Sequence, residues 1–301
     1  MNLATLALFA LPGLILLAGI SLHTRRRERE FTADLRRFPR LRGLRSVAVR
    51  ARVSGMAGGA LVGVALLALD RTGRLVAVAP AVTGIVLVVA VMLGQRLARD
   101  AARVAGQASL ERRATANYLP GWPVVSVSAA LALLAALLAW TTARAAETDL
   151  GRVSGFAFEC VVDHGSGTGV VTMLRSPFTG AYYSIPIAIS TALLVAMAGI
   201  ALWTVTMRPR NGSDVDLVRL DDALRRQTSE GIVAGVGLSV GITLMAVGGL
   251  TAMAAAPALC HGNPAPPWVG LVLGALGGVL GWGLALWALV HLLRPTSGLR
   301  P

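Results

Sequence analysis

Residues 25–52 read RRREREFTADLRRFPRLRGLRSVAVRAR and lie between two long apolar runs. The stretch carries eleven arginines, Arg25, Arg26, Arg27, Arg29, Arg36, Arg37, Arg40, Arg42, Arg45, Arg50 and Arg52, against Glu28, Glu30 and Asp34. Basic segments between membrane spans are retained in the cytoplasm, so this one stretch orients everything around it. It fixes topology and says nothing about chemistry.

The runs around it set the class. The chain has 301 residues, 55% of them hydrophobic, and a mean hydropathy of +0.67. Several continuous runs near twenty residues point to helical spans and not to the short alternating strands of a barrel. The net charge of +13 fits arginine clustered at one membrane face, where it meets anionic headgroups. No basic face is interleaved with aromatic residues, so nucleic acid is not an expected partner. Every basic side chain is arginine; without a lysine amine, a retinal Schiff base is excluded.

Seven spans are expected, at about 3–22, 53–69, 75–94, 122–140, 184–206, 232–251 and 267–292. The fold expected is all-α: a polytopic bundle of one helix plus three hairpins, forming a single transmembrane domain over 1–301. The N-terminus is expected outside and the C-terminus in the cytoplasm, because the outer segments then hold only Arg71, Arg74, Arg144, Arg152 and Arg175. Returning helices are expected to start near Pro80, Pro186 and Pro266–Pro267, where a missing N–H costs little. The inner loops read as short surface helices. In the last of them Asn211–Asp214 looks like a helix start, and Asp221→Arg225 and Asp222→Arg226 are i,i+4 pairs. Leu217, Leu220 and Leu224 form an apolar stripe for the membrane interface or the bundle.

Few residues carry chemistry. The expected spans hold no Asp, Glu or Arg away from their ends, which argues against a proton-coupled transporter. Gly237-Leu-Ser-Val-Gly241 fits the Gly-x-Ser-x-Gly motif, but it sits inside a helix, without the strand-to-helix turn a nucleophile elbow needs. Ser239 is also about 12 Å deeper than the inner surface, where His291 lies. No catalytic, cofactor-binding or metal-binding residue is assigned, and the reading leans away from an enzyme. Packing accounts better for the glycines: Gly55, Gly59 and Gly63 in the second span, Gly270, Gly274 and Gly278 in the seventh, with Gly277 and Gly281 beside them, and Gly231, Gly235 and Ser239 in the sixth. Whether these faces meet within one chain or between subunits is open at this level.

The outer residues 141–183 alternate at Phe156, Phe158, Cys160 and Val162, turn through 164–169 and resume at Val170, which reads as a β-hairpin in a small cap. Cys160 and Cys260 both fall outside and are expected to form a disulfide. The alternative is a zinc or copper site with His164 and His261.

Three stretches carry a resemblance: Ala108-Ser-Leu-Glu-Arg-Arg113 leading to Tyr118-Leu-Pro120, residues 177–186 (PFTGAYYSIP), and Asp221-Asp-Ala-Leu-Arg-Arg226. They resemble segments of uncharacterised multi-pass membrane proteins of high-GC actinobacteria, over about a third of the chain. The resemblance implies a plasma-membrane protein and no activity or site residue. The function expected is an accessory, sensory or regulatory protein of the plasma membrane, contacting anionic lipid or a cytoplasmic or membrane protein partner. A permease-like subunit or small-solute transporter would need a polar cavity between the hairpins. A membrane enzyme acting on lipid or envelope precursors would need clustered polar side chains at one interface.

Overall fold

The computed structural model describes residues 39–102, 121–163, 168–207, 215–260 and 268–293. Six helices cover most of them: α1 (Pro39–Leu69), α2 (Arg74–Ala102), α3 (Gly121–Ala143), α4 (Ala181–Thr206), α5 (Val215–Ala255) and α6 (Trp268–Leu293). Each is long and apolar enough to cross a bilayer. The protein is a helical membrane bundle. The expected first span, 3–22, lies outside the described residues, as do Asn211–Asp214, Pro266 and Pro267.

The bundle is built around α5. The buried side chains of α2 to α6 join in one core, in which Leu87, Leu134, Leu137, Leu194, Ile232, Val240, Leu244 and Ala288 are almost fully enclosed. Met56 of α1 packs against it. In the apolar segment of α5, 78% of the residues are buried, against 17% for α1 and 22% for α6. That difference places α5 at the centre and leaves α1 and α6 with broad outer faces.

Helix lengths depart from the expectation. α1 starts at Pro39, so the end of the basic stretch is helix and not loop. α5 runs unbroken for 41 residues, about 62 Å at 1.5 Å per residue. The hydrocarbon layer is only about 30 Å thick. The inner segment expected to be a separate surface helix is therefore the first half of α5, and Leu220 and Leu224 are buried in the bundle. Pro80 and Pro186 also lie inside their helices, past the first turn. The helices tolerate them there because each removes one backbone hydrogen bond close to the helix start.

At the opposite end sits the cap, a three-stranded antiparallel sheet ordered β1-β2-β3. Its strands are β1 (Ala145–Glu147), β2 (Val153–Asp163) and β3 (Thr168–Arg175). Phe156 pairs with Arg175 and Asp163 with Thr168, so β2 and β3 make a hairpin. The alternation puts Phe156, Phe158 and Cys160 on one face, buried with Phe178, Ala254 and Ala258. Phe178 is fully enclosed, 5.1 Å from the Phe156 ring and 6.1 Å from Trp140.

A sharp turn joins α1 to α2 at the cap end. Asp70 accepts the N–H groups of Thr72 (2.8 Å), Gly73 (2.7 Å) and Val76 (2.7 Å), capping the first turn of α2. Some loss of hydration pushes its pKa up, but these N–H groups outweigh that and hold it below the usual value. Gly73 has φ +81°, and a side chain there would meet the Tyr183 hydroxyl, which donates to the Thr72 carbonyl at 3.3 Å.

Candidate functional site: polar staples at the basic end

Where α5 leaves the apolar core, three polar contacts within four residues each fasten a different helix to it. Arg225 is 1% exposed and Asp221 is fully enclosed. The Arg225 Nε and Nη2 donate to Asp221 Oδ2 at 3.0 and 2.9 Å, and Nη1 donates to the Thr206 carbonyl at 3.3 Å. Thr206 is the last residue of α4, and its carbonyl belongs to the final turn, which lacks intrahelical donors. Arg225 thus closes the end of α4 and places positive charge at the negative end of its dipole.

Arg52 of α1 makes the second contact. It is 6% exposed, and its Nη2 donates to the Gln227 carbonyl at 3.1 Å. Its guanidinium lies flat against Gly231: a Cβ at that glycine would sit 2.7 Å from Nη2 and 3.0 Å from Nε. The negative charge of Glu230 acts on it from the next position. The third contact comes from α2, where buried Gln95 donates to the Thr228 hydroxyl at 3.3 Å; that hydroxyl donates to the Leu224 carbonyl at 2.9 Å.

Sequence reading missed this cluster. The sequence places a short surface helix in the inner segment 208–231, ahead of a span that begins only at about 232. The helical phase held the signal. Asp221, Arg225 and Thr228 continue the stripe of Leu220 and Leu224, and no proline interrupts 215–255. The Asp221–Arg225 pair, expected as an i,i+4 pair of a surface helix, is a buried ion pair. Around the cluster Arg50, Arg96, Arg219 and Arg226 are exposed.

The glycines divide by what they face. Gly55 meets Ala90 and Leu87, Gly59 meets Thr83, and a Cβ at Gly63 would lie 3.2 Å from the Thr83 hydroxyl, so this face is turned inward onto α2. The Thr83 hydroxyl donates to the Gly59 carbonyl at 3.1 Å. Gly270 packs on the Trp140 ring, and a Cβ at Gly274 would lie 2.7 Å from the backbone N of Ala252 on α5. The α6 face continues through Gly277 and Gly281. Gly278 stands at its margin: a Cβ there would lie 3.8 Å from the Gly249 backbone N, an ordinary contact. Gly231 accommodates Arg52 and Gly235 accommodates Leu87.

Ser239 donates to the Gly235 carbonyl at 3.1 Å and His291 Nδ1 lies 3.0 Å from the Trp287 carbonyl, so each is satisfied within its own helix. Cys160 and Cys260 are joined in a disulfide with Cα atoms 5.7 Å apart, tying β2 to the end of α5 beyond its last 3₁₀ turn. Both sulfurs are thereby engaged, and the thiolate pair of the alternative metal site does not exist in this structure. His164 and His261 lie outside the described residues.

No known protein family, curated protein or solved structure matches the chain.

One further feature is open to lipid. A groove of about 850 Å³ separates α3 from α4, lined from Leu131 to Ala143 on one side and from Ser184 to Ala196 on the other. Its walls are mostly aliphatic, with Thr142, Ser184 and Thr191 as the hydroxyl-bearing exceptions. Ser184 lines it at the cap end, its hydroxyl 3.4 Å from that of buried Thr141.

Proposed function

We propose that the chain is an accessory, sensory or regulatory protein of the plasma membrane. Its N-terminus lies outside, its C-terminus lies in the cytoplasm, and residues 3–22 supply a seventh span. Its basic end faces the cytoplasm as a fixed cationic surface for anionic headgroups or for a cytoplasmic or membrane protein partner. It belongs with the uncharacterised actinobacterial membrane proteins that its sequence resembles.

The supporting observation is the set of three staples. Arg52, Gln95 and Arg225 hold α1, α2 and α4 on α5 directly beneath exposed Arg50, Arg96, Arg219 and Arg226. A cluster that only enforced topology would not need its helix ends locked together by buried polar contacts. Locking them preorganises the charge pattern, which lowers the ordering cost of binding. A permease calls for a polar cavity, whereas the groove between α3 and α4 is apolar, so the accessory reading is the better supported one.

Two measurements test it. Reporter fusions after Thr24, Arg112 and Arg210 should report cytoplasm, and fusions at Asp163 and Asn263 the outside; one reversal overturns the topology. Photocrosslinkers placed at Arg96 and Arg226 in cells should yield adducts with anionic lipid or with one protein. Solute flux through proteoliposomes without such adducts would replace this reading with the permease.

A further inference from the structure

The groove between α3 and α4 spans a particular depth. Leu131 to Ala143 and Ser184 to Ala196 each cover about 18 Å of helix at 1.5 Å per residue. One leaflet contributes about half of the ~30 Å hydrocarbon layer. The groove thus runs from the cap to near the bilayer midplane and matches one acyl leaflet. Small residues, Ala135, Ala139, Ala188 and Ala192, make the recess, while Leu138 and Val195 shape its walls.

Its cap end carries three arginines, in a region that also holds Asp70 and Glu147. Arg144 directly follows Ala143, the last groove residue of α3, and is exposed. Arg74 and Arg152 both approach the Tyr182 ring, with Cζ 4.7 and 5.2 Å from its centroid. Tyr182 lies one turn before Ile185 of the groove wall. The cap brings these groups together: a Cβ at Gly180 would lie 2.5 Å from Ala145 Cβ and 2.9 Å from the Val153 carbonyl carbon. Arg144 and Arg152 are the residues just before Ala145 and Val153. None of the three arginines forms an ion pair with a described residue, although Glu147 lies in the same turn. Two guanidiniums sharing one ring repel each other, and an anion between them relieves that repulsion.

We propose that this groove is a binding site for an anionic phospholipid of the leaflet on the cap side. Its acyl chains lie against Leu138, Ala188 and Val195, and its phosphate is held by Arg144, Arg152 and Arg74. Arginine suits this role, because its planar fork gives paired hydrogen bonds to phosphate oxygens. The volume falls in the range of ordinary small-molecule pockets, enough for the chains of one lipid. Naming this leaflet the outer one rests on the orientation proposed above; the site itself does not.

The test uses the purified full chain equilibrated in detergent with equal amounts of dioleoyl phosphatidylglycerol and dioleoyl phosphatidylcholine, read by native mass spectrometry. One retained phosphatidylglycerol is expected, preferred roughly tenfold, because each surface arginine adds a several-fold gain for an anionic lipid. Arg144→Gln with Arg152→Gln should abolish the preference for the one lipid that Ala188→Phe displaces, whereas any phosphatidylglycerol at the basic end is common to parent and variants. Ala188→Phe should remove the bound lipid, whereas Val272→Phe, on the exposed face of α6, should leave it. Equal retention of the two lipids, or a preference untouched by the arginine variants, overturns the proposal. So does a bound lipid that survives Ala188→Phe. Higher occupancy after deletion of residues 2–22 also overturns it and assigns the groove to the chain's own first span. The detergent assay has no sidedness, so a failed topology fusion and a failed lipid site are separate results.

Discussion

Replacing Asp221 by Leu, or Arg225 by Met, separates two readings of the same pair. On a solvated helix an i,i+4 pair contributes about 0.3–0.5 kcal/mol. Here Arg225 is 1% exposed and Asp221 is fully enclosed. Removing one partner leaves the other charge buried, at a cost of about 3–5 kcal/mol. The double variant Asp221→Leu with Arg225→Met removes both charges. Its remaining defect is the lost Arg225 Nη1 donor to the Thr206 carbonyl, 3.3 Å away, which is about 1–3 kcal/mol. The double variant should therefore be more stable than either single, with a coupling of at least about 3 kcal/mol, more than a hundredfold in the unfolding constant. Reversible SDS unfolding in mixed micelles, followed by far-ultraviolet circular dichroism, measures all four corners. Arg226→Ala is an internal control: that side chain is exposed, and its loss should cost only about 0.3–0.5 kcal/mol. Single variants within about 0.5 kcal/mol of the parent would show that the pair is solvated, and the stapled basic end would fall with it.

Gly274→Leu should cost at least about 1–3 kcal/mol in the same unfolding assay, because its Cβ would meet the Ala252 backbone at 2.7 Å, while Gly278→Ala should be near neutral. Equal effects at the two positions would refute the packing assigned to α6. Replacing Cys160 and Cys260 by Ala opens a loop of 100 residues, worth up to about 4.7 kcal/mol in the chain-entropy model and less when helices are already confined by a membrane. Maleimide should label no cysteine in oxidised membranes, and labelling there would disprove the bond. Asp70 has a folded pKa below its ordinary value, so its stabilisation is fully present above the unfolded value of about 3.9 and is lost as pH falls through the depressed one. The stability gap between the parent and Asp70→Ala should hold from pH 7 to 5 and close in stronger acid; a gap that widens in acid would refute the cap.

Some of this was legible in the chain alone. Apolar runs near the bilayer thickness give helical spans whatever packs beside them, because in lipid every backbone amide must be satisfied within the segment. The alternation at Phe156, Phe158 and Cys160 marked the cap hairpin for a similar local reason, since a strand puts every second side chain on one face. The inward turn of Gly55, Gly59 and Gly63 was not decidable from spacing, because small residues serve intramolecular and intersubunit contacts alike. Tertiary structure decided it by placing Thr83 and Ala90 against them. It also decided the fate of residues 215–231. Their charges read as a surface helix when burial is judged one residue at a time, but burying Arg225 or Arg52 is costly only without partners. Asp221, the Thr206 carbonyl and the Gln227 carbonyl are those partners, and the two carbonyls come from other helices. Local sequence sets which segments become helices. Which charged residues can leave water depends on groups distant in the chain, and only the assembled bundle brings those together.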